Sequence, residues 1–146
     1  MILSSPVFRD NEQIPQKYTC DGENISPPFK IKEVPAGTQS LVLIVDDPDA
    51  PRGLWVHWLM WNINPKTAEV GENSVPEEAV EGTTSFGRSG YGGPCPPSSI
   101  HHYFFRLYAL DIKLELGSEM GKEGLEQAMA GHIIAQTEII GLYSRG

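Results

Sequence analysis

The sequence predicts a mainly β domain, an antiparallel two-sheet β-sandwich with one or two short helices near the C-terminus. Three observations carry this. Gly 15 and Pro 12 among 146 residues make frequent chain punctuation, which favours many short elements over a few long helices. Three apolar runs of strand length and strand composition follow one another. Only one late segment has a helical period. Many strands that must bury a face, with little helix to cover them, favour two packed sheets over one open sheet.

The first strong strand is 41–46. Its continuous run Leu41-Val42-Leu43-Ile44-Val45 is β-branched and unbroken, the pattern of a strand buried on both faces. The second is 55–62, from Trp55 to Asn62, apolar on both alternating faces. The third is 101–111, where His101, Tyr103, Phe105 and Leu107 share one face and His102, Phe104 and Arg106 the other. Weaker strands are expected at 2–8, 28–33 and 135–143. In the helical segment Leu125, Ala128, Met129, His132 and Ile133 recur at i, i+3, i+4, i+7 and i+8. Ser118 is the expected cap near its start, and Lys122 and Glu126 are placed to pair across one turn. The stretch 64–100 offers no clear element, although its second half is too rich in Gly, Pro and aromatics for a linker.

Length and composition bound the function. At 146 residues the chain makes a single domain, 1–146, with a core of its own. Eleven basic against 19 acidic residues leave a formal charge of −8. That charge repels phosphate backbones at long range, so general nucleic-acid binding is disfavoured, and no basic amphipathic segment suits a membrane surface. The longest aliphatic run is far short of a membrane span. The start, Met1-Ile2-Leu3-Ser4-Ser5-Pro6, has no basic region followed by an apolar core, which points to the cytoplasm unless a leader has been trimmed. Two cysteines, Cys20 and Cys95, are too few for a disulfide scaffold; the expectation is two reduced thiols, with a long-range disulfide or a reactive thiol as alternatives.

Candidate chemistry clusters at strand ends. Asp46-Asp47-Pro48-Asp49-Ala50-Pro51 leaves the first buried strand with three carboxylates on a proline-stiffened segment. It reads as a solvated turn, as an Asp-x-Asp metal or nucleotide-sugar motif, or as the source of an Asp that orients a histidine. The second of these needs a nucleotide-binding α/β domain, which this pattern does not offer. His57 is expected on a face with Trp55, Leu59 and Trp61, where a satisfied core histidine is the ordinary reading. His101 and Tyr103 make a polar end on a face that continues as Phe105 and Leu107, a common floor for a pocket. Just before them, Gly92-Gly93-Pro94-Cys95-Pro96-Pro97 can turn at most the amides of Gly92, Gly93 and Cys95 toward a ligand. One Asp, two His and one Tyr around such a loop describe a small anion site. The competing reading is a hydrolase with Cys95, or Ser98 or Ser99, as nucleophile beside His101 and Asp47. No spacing of tight metal ligands is present, and no cofactor is expected.

Five motifs occur in order: Cys20-Asp21-Gly22-Glu23-Asn24-Ile25-Ser26-Pro27-Pro28, Asp46 to Pro51, Trp55-Val56-His57-Trp58, Phe86-Gly87-Arg88-Ser89-Gly90-Tyr91-Gly92-Gly93-Pro94-Cys95-Pro96-Pro97, and His101-His102-Tyr103. Over nearly the whole chain this resembles the phosphatidylethanolamine-binding protein family, in particular its bacterial and archaeal Raf kinase inhibitor-like branch. The resemblance implies Greek-key connections in the sandwich and a shallow pocket for phosphate, carboxylate or phosphoryl groups, without a chemical reaction. Carried over by motif, that pocket comprises Asp47, Asp49, Pro51, His57, Gly93, Cys95, Pro96, His101 and Tyr103. It also implies a cis peptide at Ala50–Pro51, a possible homodimer, and protein partners of the kinase or serine-protease kind. An inhibitor of proteases would present an exposed loop, here 66–81 or 94–99. The sequence departs from the eukaryotic pattern in Cys95, where those proteins carry glycine, in Val56, where they carry a second histidine, and in its shorter length.

Overall fold

The computed structural model describes residues 1–145. In chain order the elements are β1 (Ile2–Ser4), β2 (Glu12–Gln13), a turn of 3₁₀ helix (Gln16–Tyr18), β3 (Phe29–Lys32), β4 (Ser40–Asp47), β5 (Trp55–Ile63), β6 (Glu69–Val70), β7 (Val80–Glu81), β8 (His101–Leu110), α1 (Lys122–Met129) and β9 (Ile133–Tyr143). The strands form two sheets: three strands in the order β1-β3-β6, and six in the order β2-β9-β8-β4-β5-β7. Ladders are antiparallel except one. β2 runs parallel to β9, Glu12 opposite Gly141 and Gln13 opposite Leu142, so the larger sheet is mixed rather than wholly antiparallel. Glycine at 141 makes room for this approach, since a Cβ there would fall 2.5 Å from Ile14 Cγ1.

Strand β4 is central, and both its faces are buried. Leu41, Leu43 and Val45 join Phe29, Ile31, Trp58, Tyr103 and Phe105 in the cluster between the two sheets. Phe29 of the smaller sheet stands 5.4 Å from Phe105 and 6.1 Å from Trp58, ring to ring. Val42 and Ile44 point the other way, where Leu125 and Met129 of α1 and Leu114 of the preceding loop cover them. The continuous aliphatic run is thus the signature of a strand with a sheet on one side and a helix and loop on the other.

The helix is shorter and earlier than its period predicts. Leu125 and Met129 are its buried face, but His132 and Ile133 lie beyond it. Gly131, at φ +81°, takes the left-handed conformation that turns the chain out of the helix and into β9. Gly121, not Ser118, is the N-cap, and no side chain caps the helix. The Ser118 carbonyl instead accepts a hydrogen bond from the Thr83 hydroxyl at 2.8 Å. The expected Lys122–Glu126 pair forms at 3.0 Å.

Strand β5 carries two irregularities, and the first positions the site. Val45 lies opposite Trp58 and Asp46 opposite Val56, so His57 is an extra residue in the ladder. This bulge turns the side chains of His57 and Trp58 to the same face, while Val56, Leu59 and Trp61 face the helix side. The simple alternation that placed His57 with Leu59 and Trp61 is therefore corrected. A second shift falls between Met60 and Ile63. There Asn62 adopts φ +57°, and its side chain donates to the Leu114 carbonyl and accepts from the Leu114 amide, at 2.7 and 2.8 Å.

Candidate functional site

Because β4 and β8 are antiparallel, the end of β4 lies beside the start of β8, with Asp46 opposite Phe104. The carboxylate doublet that ends β4 consequently splits. Asp46 faces the helix side, fully buried, where the Nη1 of Arg106 donates to both its oxygens at 2.6 and 2.7 Å. Burial pushes its carboxyl above the usual carboxylate range, and the Arg106 charge opposes that. Asp47 faces the other side and meets His101, whose Nδ1 lies 2.6 Å from Asp47 Oδ2 with both residues buried. The proton on that nitrogen leaves Nε2 as the free position of the ring. The other oxygen of Asp47 accepts the Asp49 amide at 2.8 Å. This is the histidine-orienting reading of the Asp-rich segment.

The bulge brings His57 to the same place. Its Nδ1 donates to the Gly92 carbonyl at 2.6 Å, and the Gly92 amide donates back to the His57 carbonyl at 3.0 Å. Desolvation holds His57 below the usual histidine range, so the ring is neutral at pH 7 and offers Nε2 as an acceptor. Tyr103 lies between the two histidines, its ring centroid 5.1 Å from that of His57 and 6.4 Å from that of His101. Burial, reinforced by the Asp47 and Asp49 charges, pushes the phenol well up, so it remains an O–H donor.

Asp47, His57, His101 and Tyr103 line one cavity of about 190 Å³. Pro51, Cys95 and Pro96, also named from the motifs, line it as well. Four further lining residues, Ala50, Trp55, Phe86 and Pro97, were not assigned to the site by sequence. Phe86 meets Trp55 and His57 edge to face at 5.5 and 5.4 Å, and both Phe86 and Trp55 keep more than a third of their surface exposed. The walls are thus largely apolar, with polar tips at one end.

Two expected residues lie elsewhere. Asp49 is outside the cavity, on the surface, where its carboxylate accepts from the backbone and ring N–H of His102 at 2.8 and 2.7 Å. These bonds, the ring's first, hold its carboxyl below the usual range. Gly93 is buried, and its amide donates to Asn24 Oδ1 at 2.8 Å. With the Gly92 amide also engaged, two of the three amides expected to face a ligand, those of Gly92 and Gly93, are turned to the protein itself. Glycine is needed at 93 for packing instead, since a Cβ would collide with the Tyr18 carbonyl and Asn24. Asn24 belongs to the Cys20–Pro28 motif, and its part in holding this loop is not visible in the sequence. No hydrophobic period marks a side chain that holds a loop from 69 residues away.

Two further expectations are overturned. Cys20 and Cys95 are joined in a disulfide rather than reduced. Among the described residues no peptide bond is cis, so Ala50–Pro51 is trans. Among these residues no group of three His, Cys, Asp or Glu side chains is arranged to hold a metal ion. Among the described residues no helix is long and apolar enough to cross a membrane.

The family model for phosphatidylethanolamine-binding protein matches residues 4–144. The UPF0098 protein of Methanothermobacter thermautotrophicus is 48% identical over 151 residues, covering 100% of both chains. That of Pyrococcus horikoshii is 48% identical over 97% of this chain and 75% of its own. Among solved structures, a phosphatidylethanolamine-binding protein homolog from Chlamydia trachomatis superimposes with a TM-score of 0.95 at 43% identity, covering 99% of this chain and 97% of that one. YbcL of Escherichia coli, described as a member of the mammalian PEBP family, superimposes with a TM-score of 0.92 at 31% identity over 99% and 98%. The chain belongs to the phosphatidylethanolamine-binding protein family.

Proposed function

We propose that this chain is a non-enzymatic binding protein whose cavity takes a small phosphoryl or carboxylate group, and through it a protein partner that carries such a group. The observation that supports this best is the convergence of His101, held by Asp47, with His57 and Tyr103 on one end of an otherwise apolar cavity. The phenol donates as it stands. Each imidazole has its Nδ1 occupied by an internal acceptor, so an anion is bound through Nε2, either by proton uptake or by a ligand that brings its own proton. A partner of the kinase or serine-protease kind is the regulatory form of the same reading, by analogy with the family.

The hydrolase alternative loses its principal nucleophile, because a disulfide sulfur has no thiolate to offer. The disulfide weighs against the expected cytoplasmic location. Such bonds persist in oxidising compartments and inside hyperthermophiles, and are rare in an ordinary reducing cytosol.

The test is an NMR titration with phenyl phosphate at pH 6.5, following the four histidine rings. Saturable shifts of His57 and His101, with His102 and His132 unmoved, are the expected result. If neither His57 nor His101 shifts saturably, the anion-pocket reading fails.

A further inference from the structure

The wall of the cavity that carries Cys95 has an unusual attachment. Pro94 is anchored, its carbonyl accepting from the Cys20 amide at 3.1 Å. Just upstream, Gly93 is held by Asn24, and the Tyr91 hydroxyl donates to the Tyr18 carbonyl at 2.7 Å. Downstream, regular pairing resumes only at His101, opposite Tyr143. Between these points, among the described residues, 95–100 makes no hydrogen bond to the rest of the chain. Prolines 96 and 97 have no N–H to give, and Ile100 is 57% exposed. Yet Cys95, Pro96 and Pro97 form one side of the cavity.

We infer that the Cys20–Cys95 disulfide is a redox-cleavable tether for this lip, and that a thiol reductant releases the lip while the fold stays intact. The hydrogen bonds of Tyr91, Gly93 and Pro94 join the same two stretches of chain without the disulfide, so reduction leaves that junction in place. What it frees is the segment after Pro94. Cys95 is an exposed residue and Cys20 half-buried, so Cys95 is the more open of the two to a reductant. A thiolate of a dithiol attacks Cys95 Sγ, and the Sγ–Sγ bond breaks with its electron pair leaving on Cys20, which takes up a proton. The second thiol, losing its proton, attacks the mixed disulfide and releases Cys95 as a thiol. Two electrons and two protons pass to the protein, and the dithiol becomes a disulfide.

The tether stands independently of ligand, whereas its consequence for binding rests on the anion-pocket reading. A lip that samples the closed position only about a tenth of the time weakens apparent affinity about tenfold.

The experiment compares the full chain before and after dithiothreitol by ¹⁵N relaxation, with a phenyl phosphate titration in each state. Order parameters of Ser98, Ser99 and Ile100 are expected to drop below about 0.6 on reduction, with β4 and β8 unchanged near 0.85. Affinity is expected to fall about tenfold. The Cys20→Ser and Cys95→Ser double variant should match the reduced state without reductant. Unchanged order parameters at 98–100 overturn the inference. So does loss of spectral dispersion throughout, because the bond then holds the fold and not the lip. A loosened lip with no phenyl phosphate binding in either state supports the tether and overturns the proposed function.

Discussion

Asp47 and His101 make a buried carboxylate–imidazole pair at 2.6 Å, and the second Asp47 oxygen is held by the amide of Asp49. Both oxygens of one buried group are thus committed, one to the fold of the turn and one to the ring that faces the cavity. Ring orientation and proton position at His101 follow from Asp47 rather than from ligand.

Replacing Asp47 with Asn should therefore weaken phenyl phosphate binding by about tenfold and lower stability by about 2 kcal/mol, the scale of a lost hydrogen bond to a charged group. Asn keeps one acceptor but brings an NH₂ that cannot serve the other bond. Asp49→Asn is the control. Its pair with His102 is exposed, so stability should move by no more than about 0.5 kcal/mol and affinity hardly at all. Calorimetric titration and urea unfolding of both variants check this. Equal effects at the two positions would contradict the division of roles.

His57 gives a pH prediction. Desolvation depresses its folded pKa below the unfolded value of about 6.5. Below about pH 6.5 the unfolded chain binds this proton before the folded chain does, so stability falls as pH falls until the folded value is passed. The slope from this one group is at most about 1.4 kcal/mol per pH unit. The groups facing it are Asp47, which favours the charged ring, and His101, which opposes it. Urea unfolding between pH 7.5 and 5 should show this decline, and His57→Gln should flatten it. A decline of equal steepness in the variant would assign it to other groups.

What was legible in the sequence follows from which signals are local. β4, β5 and β8 were read to within one residue of each end, because runs such as 41–45 have no other way to be buried. β6 and β7 have two residues each and carry no period to read. The bulge at His57 arises from how β5 meets β4, and nothing at position 57 announces it. Asp46 and Asp47 are the same residue type side by side. Only parity on a known strand tells which one meets Arg106 and which one meets His101. The motifs named seven residues that line the cavity, but Phe86 and Trp55 complete it through ring contacts across 31 residues. The disulfide joins positions 75 residues apart, a separation at which two cysteines carry no pairing signal.

Gly93 lies in the site motif but serves packing. A Cβ at this position collides with backbone at Tyr18 and with the Asn24 side chain that holds the Gly93 amide. Backbone cannot move aside as a flexible side chain can. Gly93→Ala should cost about 1–3 kcal/mol of stability, the usual range for overpacking. Asn24→Ala should destabilise by a similar amount, through the buried N–H it leaves unpaired. The two losses should not add, because both break one junction; a double-variant cycle by chemical denaturation gives the coupling directly. Full additivity would mean that the two residues act independently.

The last prediction concerns the same junction in covalent form. A disulfide that closes a loop of 75 residues restricts the unfolded chain, by about 4.5 kcal/mol in the chain-entropy model. The hydrogen bonds of Tyr91, Gly93 and Pro94 act on the folded state and leave that entropy untouched. Replacing both cysteines with serine should therefore lower unfolding free energy by several kcal/mol while the transition stays cooperative. The loss should lie mainly in the folding limb of the kinetics if the tethered junction is formed early, and mainly in the unfolding limb if it forms late. Guanidinium unfolding, by equilibrium and by stopped flow, measures both. A change of less than about 1 kcal/mol would mean that the junction already persists in the unfolded chain, and that the bond acts on the cavity lip alone.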